Sequence, residues 1–211
     1  MKRLFFLLFV CSIVFIGCKK EGCTDPDAVN YDSSANKDNG SCIVIGDNYE
    51  GGIIFYLDGN GGGLIAAPSD QHSAGAAGQT GASGHTGPTG RWGCRGTDVG
   101  ADGTAVGIGN QNTINIIEAG CATAGTAADI CANLTLDSYS DWFLPSLDEL
   151  RLMYQNIGQG NALGVGNVGG FASSYYWSST ELNDNNAYRV SFTSGNWSLE
   201  DKNDSHYVRA V

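Results

Sequence analysis

The polar residues best suited to recognising a ligand lie near the carboxyl end of the chain, in a stretch that alternates like β-strands and breaks into runs of Asn and Asp. Asn and Asp side chains supply hydrogen-bonding groups, and a Trp ring supplies a stacking face. This combination suits a hydroxyl-rich ligand or a protein surface. The predicted ligand-binding residues are Asn183, Asp184, Asn185, Asn186, Arg189, Asn196, Trp197, Asp201, Asn203 and His206. A solvent-exposed β-hairpin that binds no ligand is the alternative interpretation, because Asn and Asp also favour turns.

A second polar cluster lies between Cys23 and Cys42 and is rich in the oxygen ligands that Ca²⁺ prefers. The candidate calcium ligands are Asp25, Asp27, Asn30, Asp32 and Asp38. The spacing of an EF-hand loop is absent, so a solvated spacer held by Asx turns is the alternative interpretation. Apart from this calcium site, the sequence predicts no cofactor.

The residue patterns of common catalytic sites are absent. HExxH, GxSxG and the P-loop do not occur, and the chain has three His residues. A Ser-His-Asp set that uses His206 has no local support. Asp148 and Glu149 resemble an acid/base pair, but they fall in the first turn of a predicted helix, where negative charge suits the helix dipole. We therefore expect a protein that is not an enzyme.

The amino terminus has the pattern of a secretion signal. Lys2 and Arg3 precede an apolar run over 4–16, which is too short to span a bilayer. The sequence FIGC at 15–18 resembles a bacterial lipobox, so residues 1–17 are the predicted signal peptide and Cys18 the predicted lipidation site. Ordinary secretion with a Cys18 thiol is the alternative. Acyl chains contribute about 0.8 kcal/mol per buried methylene, so they would anchor the chain firmly. We expect this lipid anchor to lie in the outer membrane, with the extracellular face favoured over the periplasmic one.

Charge and cysteine content narrow the class further. Cleavage of the signal leaves 9 Lys+Arg against 22 Asp+Glu, a formal charge of −13, which argues against nucleic acid as a partner. Extracytoplasmic cysteines can form disulfides, and an odd number, five, follow Cys18. We predict the disulfides Cys23–Cys42 and Cys94–Cys121. The first closes a loop of about 20 residues and should contribute roughly 3 kcal/mol. Cys131 is then a free thiol that faces the core.

The sequence between the two clusters predicts strands, loops and helices. Strands at Gly52–Leu57 and Gly63–Ala67 form a predicted hairpin. Gly recurs every third residue over 75–90, which is the collagen period, but a short run with one Pro inside a domain predicts a surface loop. The segment 111–118 is predicted to begin one helix, and a second helix is predicted over 124–136.

The strongest helix signal begins at Ser146, a predicted N-cap whose capping box is completed by Glu149. The apolar residues of this helix share one face: Leu147, Leu150, Tyr154 and Ile157. Gly158 supplies the stop.

The tail from Phe171 onward is predicted to form short antiparallel strands. We expect Tyr188, Val190 and Phe192 to point inward, with Arg189 and Ser191 outward, and a last strand over His206–Val211.

Four motifs in the second half of the chain carry a family resemblance: DWFLPSLDELRLMY, YYWSSTE, NNAYRVSF and YVRAV. Together they resemble the C-terminal domain of the Legionella collagen-like adhesin over about 49–211. Related patterns occur in the Fibrobacter major paralogous domain and, more distantly, in formylglycine-generating enzymes, all variants of the C-type-lectin fold. The resemblance implies an α+β, C-type-lectin-like domain with two helices and a small, mostly antiparallel sheet. Trp142 and Trp177 would lie in its core, and the turns between the last strands would gather at one face.

The residues before 49 and the resemblance after it together predict the domain organisation. A tether at 18–22 precedes an acidic module at 23–42, which is similar to cysteine-bracketed modules of Bacteroidetes surface proteins. A linker at 43–48 leads to the lectin-like domain at 49–211, which contains the Gly-x-y loop at 75–90.

Not all chemistry of the related proteins can be carried over. No Cys follows Cys131, so the copper and redox cysteines of formylglycine-generating enzymes have no counterpart, and the Glu-Pro-Asn and Trp-Asn-Asp signatures of calcium-dependent lectins are absent. The collagen-like adhesin binds sulfated glycans as a trimer through basic surfaces, from which this acidic chain departs. We therefore expect a surface recognition or adhesion module for a glycan or a protein, which could be a homo-oligomer. A structural envelope lipoprotein is the alternative, and a formylglycine-generating type of enzyme a remote one.

The Asn-rich tail between YWSS and YVRAV also resembles the variable regions of lectin-fold proteins that retroelements diversify. This interpretation predicts a reverse transcriptase gene near the coding sequence and an imperfect DNA repeat of the tail that differs at adenines. Sequencing of the genome neighbourhood tests it, and a neighbourhood that lacks both features would exclude diversification.

Overall fold

The computed structural model describes residues 19–26, 28, 30–60, 62–72 and 89–211. The predicted signal peptide, the lipidation site Cys18, the candidate ligand Asp27 and most of the Gly-x-y segment lie outside these residues. The chain divides into two compact units, 1–42 and 43–211. Within the described ranges, no helix has the length and apolar character that a membrane crossing requires.

The first unit is held together by a disulfide and by surface ion pairs. Two short parallel strands, β1 (Glu21–Gly22) and β2 (Lys37–Asp38), lie side by side. The predicted disulfide Cys23–Cys42 is confirmed. Lys20 pairs with Asp32 at 2.9 Å and Lys37 pairs with Glu21. Because exposed pairs contribute little, the disulfide is the main constraint on this unit.

The second unit is an α+β domain, which confirms the predicted class. Its elements in chain order are β3 (Asn48–Tyr49), β4 (Gly52–Leu57), β5 (Gly63–Ala66), β6 (Thr89–Arg91), α1 (Gly109–Glu118), α2 (Ala127–Ala132), α3 (Leu147–Ile157), β7 (Tyr175–Glu181), β8 (Asn186–Ser191), β9 (Trp197–Asp201) and β10 (Ser205–Tyr207). One antiparallel sheet has the order β3-β4-β5, and the other has the order β6-β10-β7-β8-β9. The larger sheet is antiparallel except where β10 runs parallel to β7.

The helices differ from the expected ones in number and in length. The described residues form three helices, whereas the resemblance implies two. Helix α2 covers 127–132, whereas the prediction covers 124–136. It ends early because the backbone turns at Asp137 and Ser138, which have positive φ angles, and Leu136 and Tyr139 exchange backbone hydrogen bonds across this turn.

The segment 43–48 contributes to the second unit. The Gly46 N–H donates to the Ile54 carbonyl at 2.8 Å, and the Ile54 N–H donates to the Asp47 carbonyl at 2.9 Å. Asn48 belongs to β3. These residues, predicted to be a linker, therefore extend the first sheet.

The capping box at the start of α3 is confirmed, and its carboxylate also holds a distant loop. The Glu149 N–H donates to the Ser146 hydroxyl at 3.3 Å, and the Ser146 N–H donates to the Glu149 carboxylate at 2.7 Å. The backbone N–H groups of Gly107 and Gly109 also donate to Glu149, at 2.7 and 3.4 Å. Burial raises the pKa of Glu149. This carboxyl is thus a structural anchor for the loop before α1.

The core of the second unit consists of two apolar clusters on opposite faces of β7. One contains Trp92, Trp142 and Trp177, and the other contains Tyr176 together with residues of α3. Neighbouring strand residues point to opposite faces, so Tyr176 and Trp177 are each fully buried, one in each cluster. Both predicted core tryptophans, Trp142 and Trp177, are confirmed as buried.

The tail departs from the predicted strand pattern. Strand β10 is limited to Ser205–Tyr207, although the residues that follow it are buried. The backbones of Val211 and Phe143 exchange hydrogen bonds of 2.9 Å instead of continuing the sheet. Ser191 is buried and does not point outward as expected. It lies under a tight turn, because its N–H donates to the Asn196 carbonyl and its carbonyl accepts from the Gly195 N–H.

A buried ion pair fastens the loop over 93–101 to the larger sheet. The Nζ atom of Lys202 lies 2.6 Å from the Oε2 atom of Glu181, and the two side chains are only 0% and 2% exposed. The other oxygen of Glu181 accepts the N–H groups of Val99 and Ala101, each at 2.9 Å. The Lys202 ammonium lies 4.4 Å from the centre of the Trp92 ring. All polar atoms of this pair therefore have partners in a dry environment.

Replacement of Lys202 by Met should lower the free energy of unfolding by about 3–5 kcal/mol, because it leaves the buried Glu181 carboxylate without its counter-charge. The double variant Glu181→Gln/Lys202→Met should recover much of this loss. Urea denaturation of the chain from Lys19 onward measures both. Arg151→Ala is the matched control: it removes an exposed pair with Asp148 and should cost less than about 1 kcal/mol. An equal effect for the two single variants would contradict the assignment.

Candidate functional site

The predicted ligand-binding residues do not lie on one common face. Strand β8 runs antiparallel to both β7 and β9, so the turn before it and the turn after it lie at opposite ends of the sheet. Six residues of antiparallel strand separate these ends by about 17 Å. The register Asn186↔Asp201 brings the turn after β9 back to the first end. The expectation that all these turns gather at one face is therefore wrong.

One end of the sheet, called here the amide end, consists of residues 182–186 and 201–204. Its Asn side chains are largely occupied by their own turns. The Asn183 amide oxygen accepts the N–H groups of Asn185 and Asn186, each at 2.9 Å, and the Asn186 side-chain amide at 3.3 Å. The Asn185 side-chain amide donates to Asp184 at 2.7 Å. The alternative interpretation, in which the Asn and Asp side chains serve to form turns, therefore applies to residues 183–186.

Ionic contacts complete the amide end. The Arg95 guanidinium lies 2.8 Å from the Asp201 carboxylate, which also accepts the Asn203 N–H at 2.9 Å. The Arg95 contact, the larger cause, and the Asn203 N–H hold the pKa of Asp201 below its ordinary value. The Asp184 carbonyl accepts the Gly96 N–H at 2.7 Å. Asp201 therefore orders the loop at 95–96, and the Asn203 side chain remains exposed.

The opposite end carries a cluster, called here the aromatic corner, that consists of Tyr188, Trp197 and Leu199. Leu199 pairs with Tyr188 across the β8–β9 ladder, and the rings of Trp197 and Tyr188 meet edge to face with centroids 5.4 Å apart. Trp197 is 51% exposed and Leu199 is 39% exposed. Asn196, also exposed, precedes the Trp. The corner thus presents apolar rings from two paired strands, with an amide group beside them.

The other face of these strands carries a charged network around Arg189. Its guanidinium contacts the Ser198 hydroxyl at 3.1 Å, the Glu200 carboxylate at 2.5 Å and the His206 ring nitrogen Nε2 at 2.9 Å. It also lies 3.9 Å from the centre of the Tyr175 ring. A guanidinium only donates, so Nε2 of His206 accepts. Glu200 balances the charge of Arg189, which leaves this network poorly suited to hold an anion.

The predicted site residues therefore fall into three groups. The aromatic corner contains Trp197, and Asn196 lies beside it. The charged network contains Arg189 and His206. The amide end contains the other six residues: Asn183, Asp184, Asn185, Asn186, Asp201 and Asn203. Sequence reasoning missed Tyr188 and Leu199 as partners of Trp197. The signal that could have found them is the alternation of Trp197 and Leu199 along a strand, with Tyr188 on the preceding one.

The candidate calcium ligands have other partners where the structure describes them. The Ser34 hydroxyl, the largest cause, and Lys20 lower the pKa of Asp32. The Asn30 side-chain amide donates to the Ser41 carbonyl at 2.5 Å, and Asp38 accepts the Gly40 N–H at 3.0 Å. The described ranges contain no group of three or more His, Cys, Asp or Glu residues that could hold a metal ion. The calcium site, which includes Asp27, stays a prediction.

The cysteines of the second unit are structural. The predicted disulfide Cys94–Cys121 is confirmed, and Cys131 is a buried free thiol as expected. Burial raises the pKa of the Cys131 thiol. A thiol without thiolate character is a poor nucleophile, so this residue offers no catalytic group.

Replacement of Asn183 by Ala should lower the free energy of unfolding by about 1–2 kcal/mol, because it removes the acceptor of the hydrogen bonds that form the β7–β8 turn. Asn203→Ala, at an exposed position of the same end, should change stability by less than about 0.5 kcal/mol. Thermal or urea denaturation distinguishes the two variants. Equal stability of both would show that the Asn183 turn does not depend on its side chain.

Comparison with known families adds one finding. The family model described as the Lcl C-terminal domain matches residues 95–211. The matched range covers more than half of the chain and includes α1 to α3 and β7 to β10. The hairpin β4–β5 lies before it, although it belongs to the same compact unit. A comparison with curated proteins finds no match.

Proposed function

The chain belongs to the family of Lcl C-terminal domains, and from this premise we propose that it is a non-enzymatic recognition module of the bacterial cell envelope that binds its ligand through the aromatic corner. Family membership is consistent with an adhesion-like module at a surface. The observation that carries the proposal is the position of Trp197, half exposed at the end of a sheet and held against Tyr188.

The aromatic corner combines exposure with rigidity. Tyr188 and Trp197 lie in paired strands, so their backbones are fixed before a ligand binds. Preorganised aromatic side chains lose little entropy on binding, and Trp is enriched among the residues that dominate binding energy. Leu199 extends the apolar surface along the same strand. The corner thus offers a stacking platform that needs no rearrangement.

The ligand we propose is a neutral glycan or a protein surface. A Trp ring stacks well on the apolar face of a sugar, and the exposed Asn196 amide beside it can both donate and accept hydrogen bonds. The formal charge of −11 for the whole chain disfavours polyanionic ligands. The balanced ion pair Arg189–Glu200 supports the same exclusion locally.

The cellular setting belongs to the same proposal. The sequence FIGC supports a lipid anchor on Cys18 in the outer membrane, with the extracellular face favoured, and the family resemblance supports a C-type-lectin-like fold. The two disulfides suit such an oxidising location.

A structural envelope lipoprotein is the second candidate. It is favoured by the amide end, whose Asn and Asp side chains are used to hold turns and the Arg95 loop rather than being free for a ligand.

On a glycan array, replacement of Trp197 by Ala should reduce binding by about tenfold or more, because loss of a stacked aromatic anchor costs about 1.4 kcal/mol or more. The array is probed with the secreted chain and with residues 43–211, each with calcium and with chelator, which separates any metal effect of the first unit. Asn203→Ala is the matched control, since it changes an exposed residue at the amide end, and should bind normally.

Two of the next three outcomes would contradict the proposal, and the blank array would narrow the proposed ligand to a protein. Binding that survives Trp197→Ala but is lost in Asn203→Ala would move the site to the amide end. A blank array in both buffers would exclude a glycan ligand and leave a protein partner. Absence of any captured partner that depends on Trp197 would then favour the structural role.

A further inference from the structure

The loop between α3 and β7 exposes apolar side chains. Leu163 is 53% exposed and Val168 is 44% exposed, and Val165 between them is partly exposed. A Cβ atom built on Gly46 would lie 3.7 Å from atoms of both Val165 and Val168, so these two side chains lie together against the segment 43–48. Leu163, Val165 and Val168 are called here the neutral patch. Contiguous exposed apolar groups of this kind mark interaction sites.

The polar side chains of the loop are used to hold its shape. The Asn161 amide oxygen accepts a backbone N–H of the loop. The Asn167 side chain accepts the Phe171 N–H at 3.0 Å and donates to the Phe171 carbonyl at 2.9 Å. The buried Arg209 guanidinium donates to the Gly169 carbonyl at 2.7 Å. The loop is therefore fixed to the core, and the side chains that it offers to a partner are apolar.

The neutral patch lies in an uncharged part of an acidic chain. No Asp, Glu, Lys or Arg occurs over 152–180 or over 39–46, although the whole chain carries a formal charge of −11. At the amide end, by contrast, Asp184 and Asp204 are exposed. A carboxylate that approaches a bilayer loses water, and anionic lipids repel it. The neutral patch can approach a lipid surface without these costs.

The proposed lipid anchor is close to the segment beside the patch along the covalent path. Five residues lead from Cys18 to Cys23, which limits this stretch to about 18 Å. The Cys23–Cys42 disulfide, with Cα atoms 4.8 Å apart, bypasses the residues between them. The segment 43–48 follows directly, so an anchor on Cys18 holds its start within roughly 27 Å of the lipid-bearing residue.

We propose that the neutral patch rests on the lipid bilayer to which the chain is anchored, with Leu163 and Val168 at the level of the headgroups. The contact is limited to the surface, because the polar backbone groups of a loop would lose their water partners deeper in the hydrocarbon. The apolar area is small, so the free chain should bind lipid weakly. The anchor raises the effective concentration of the patch at the bilayer and makes the contact persistent.

This contact would hold the second unit in one orientation on the membrane instead of letting it turn freely on its tether. The inference rests on the lipid anchor of the proposed function and goes beyond it, because it assigns a membrane-facing surface that shares no residue with the aromatic corner.

Tryptophan placed in the patch tests the contact. The chain from Cys18 onward is coupled through the Cys18 thiol to maleimide lipid in phosphatidylcholine vesicles. Of its other cysteines, four form disulfides and Cys131 is buried. In Leu163→Trp, brominated acyl chains should quench the added emission, because bromine quenches at contact distance. Fluorescence in brominated and ordinary vesicles measures this loss.

Leu182→Trp is the matched control. Leu182 is 48% exposed, but it lies at the amide end beside Asp184, so its added emission should not be quenched. The unsubstituted chain, coupled in the same way, supplies the background from the four native tryptophans.

A charge in the patch tests the physical basis of the contact. Val168→Asp, added to Leu163→Trp, should reduce the quenching, because the new carboxylate must be desolvated at the bilayer. Asn203→Asp, added to the same background, places the charge at an exposed position of the amide end and should leave the quenching unchanged. Circular dichroism checks that each variant folds.

The proposal fails if Leu163→Trp is quenched no more than Leu182→Trp, whether both stay bright or both are quenched. A folded Val168→Asp variant with unchanged quenching also overturns it. If Val168→Asp does not fold, the two tryptophan variants still decide. Unquenched Leu163→Trp would exclude the lipid contact and leave the patch for a protein partner. The lipid is attached chemically and no glycan is present, so failure here is distinct from failure of natural acylation or of the recognition site.

Discussion

Arg209 forms the contact on which most of the second unit depends. Its side chain is only 1% exposed, and its guanidinium binds the Asp70 carboxylate and donates to the carbonyls of Ala67 and Gly169 at 2.9 and 2.7 Å. Asp70 also accepts the hydroxyl of Tyr176. A buried charge without its partners costs several kcal/mol. The segment after β5, the loop before β7, β7 itself and the chain terminus must therefore be in place together, which makes the domain cooperative.

The same principle holds the long irregular segments of this domain. Glu149 accepts backbone N–H groups of the loop before α1, and Glu181 accepts those of Val99 and Ala101. Buried backbone groups need partners, and in these loops a side-chain carboxylate provides them in place of a neighbouring strand. The Lys202 ammonium balances the charge of Glu181. A small amount of regular structure can thus support a rigid domain.

This rigidity bears on recognition. The Asn and Asp residues that first suggest a binding face mainly build turns at the amide end, where Asn183 and Asp201 are saturated by backbone N–H groups and Arg95. The ring of Trp197 has no such duty and is half exposed at the other end of the larger sheet. It is therefore the group that we propose for recognition.

Local signals in the sequence determined the hairpin β4–β5 and the Ser146–Glu149 capping box, because each signal lies within a few residues. The family resemblance implied the α+β class of the domain, and both disulfides were predicted from the cysteines that follow Cys18. Only the tertiary structure decided which ends of the sheet the turns occupy, where α2 ends, that Ser191 is buried, and that Trp197 meets Tyr188 rather than the Asn runs. These features depend on strand order and register between distant segments. Glu181 and Val99, for example, are joined across 82 residues, and no short-range pattern encodes such a contact.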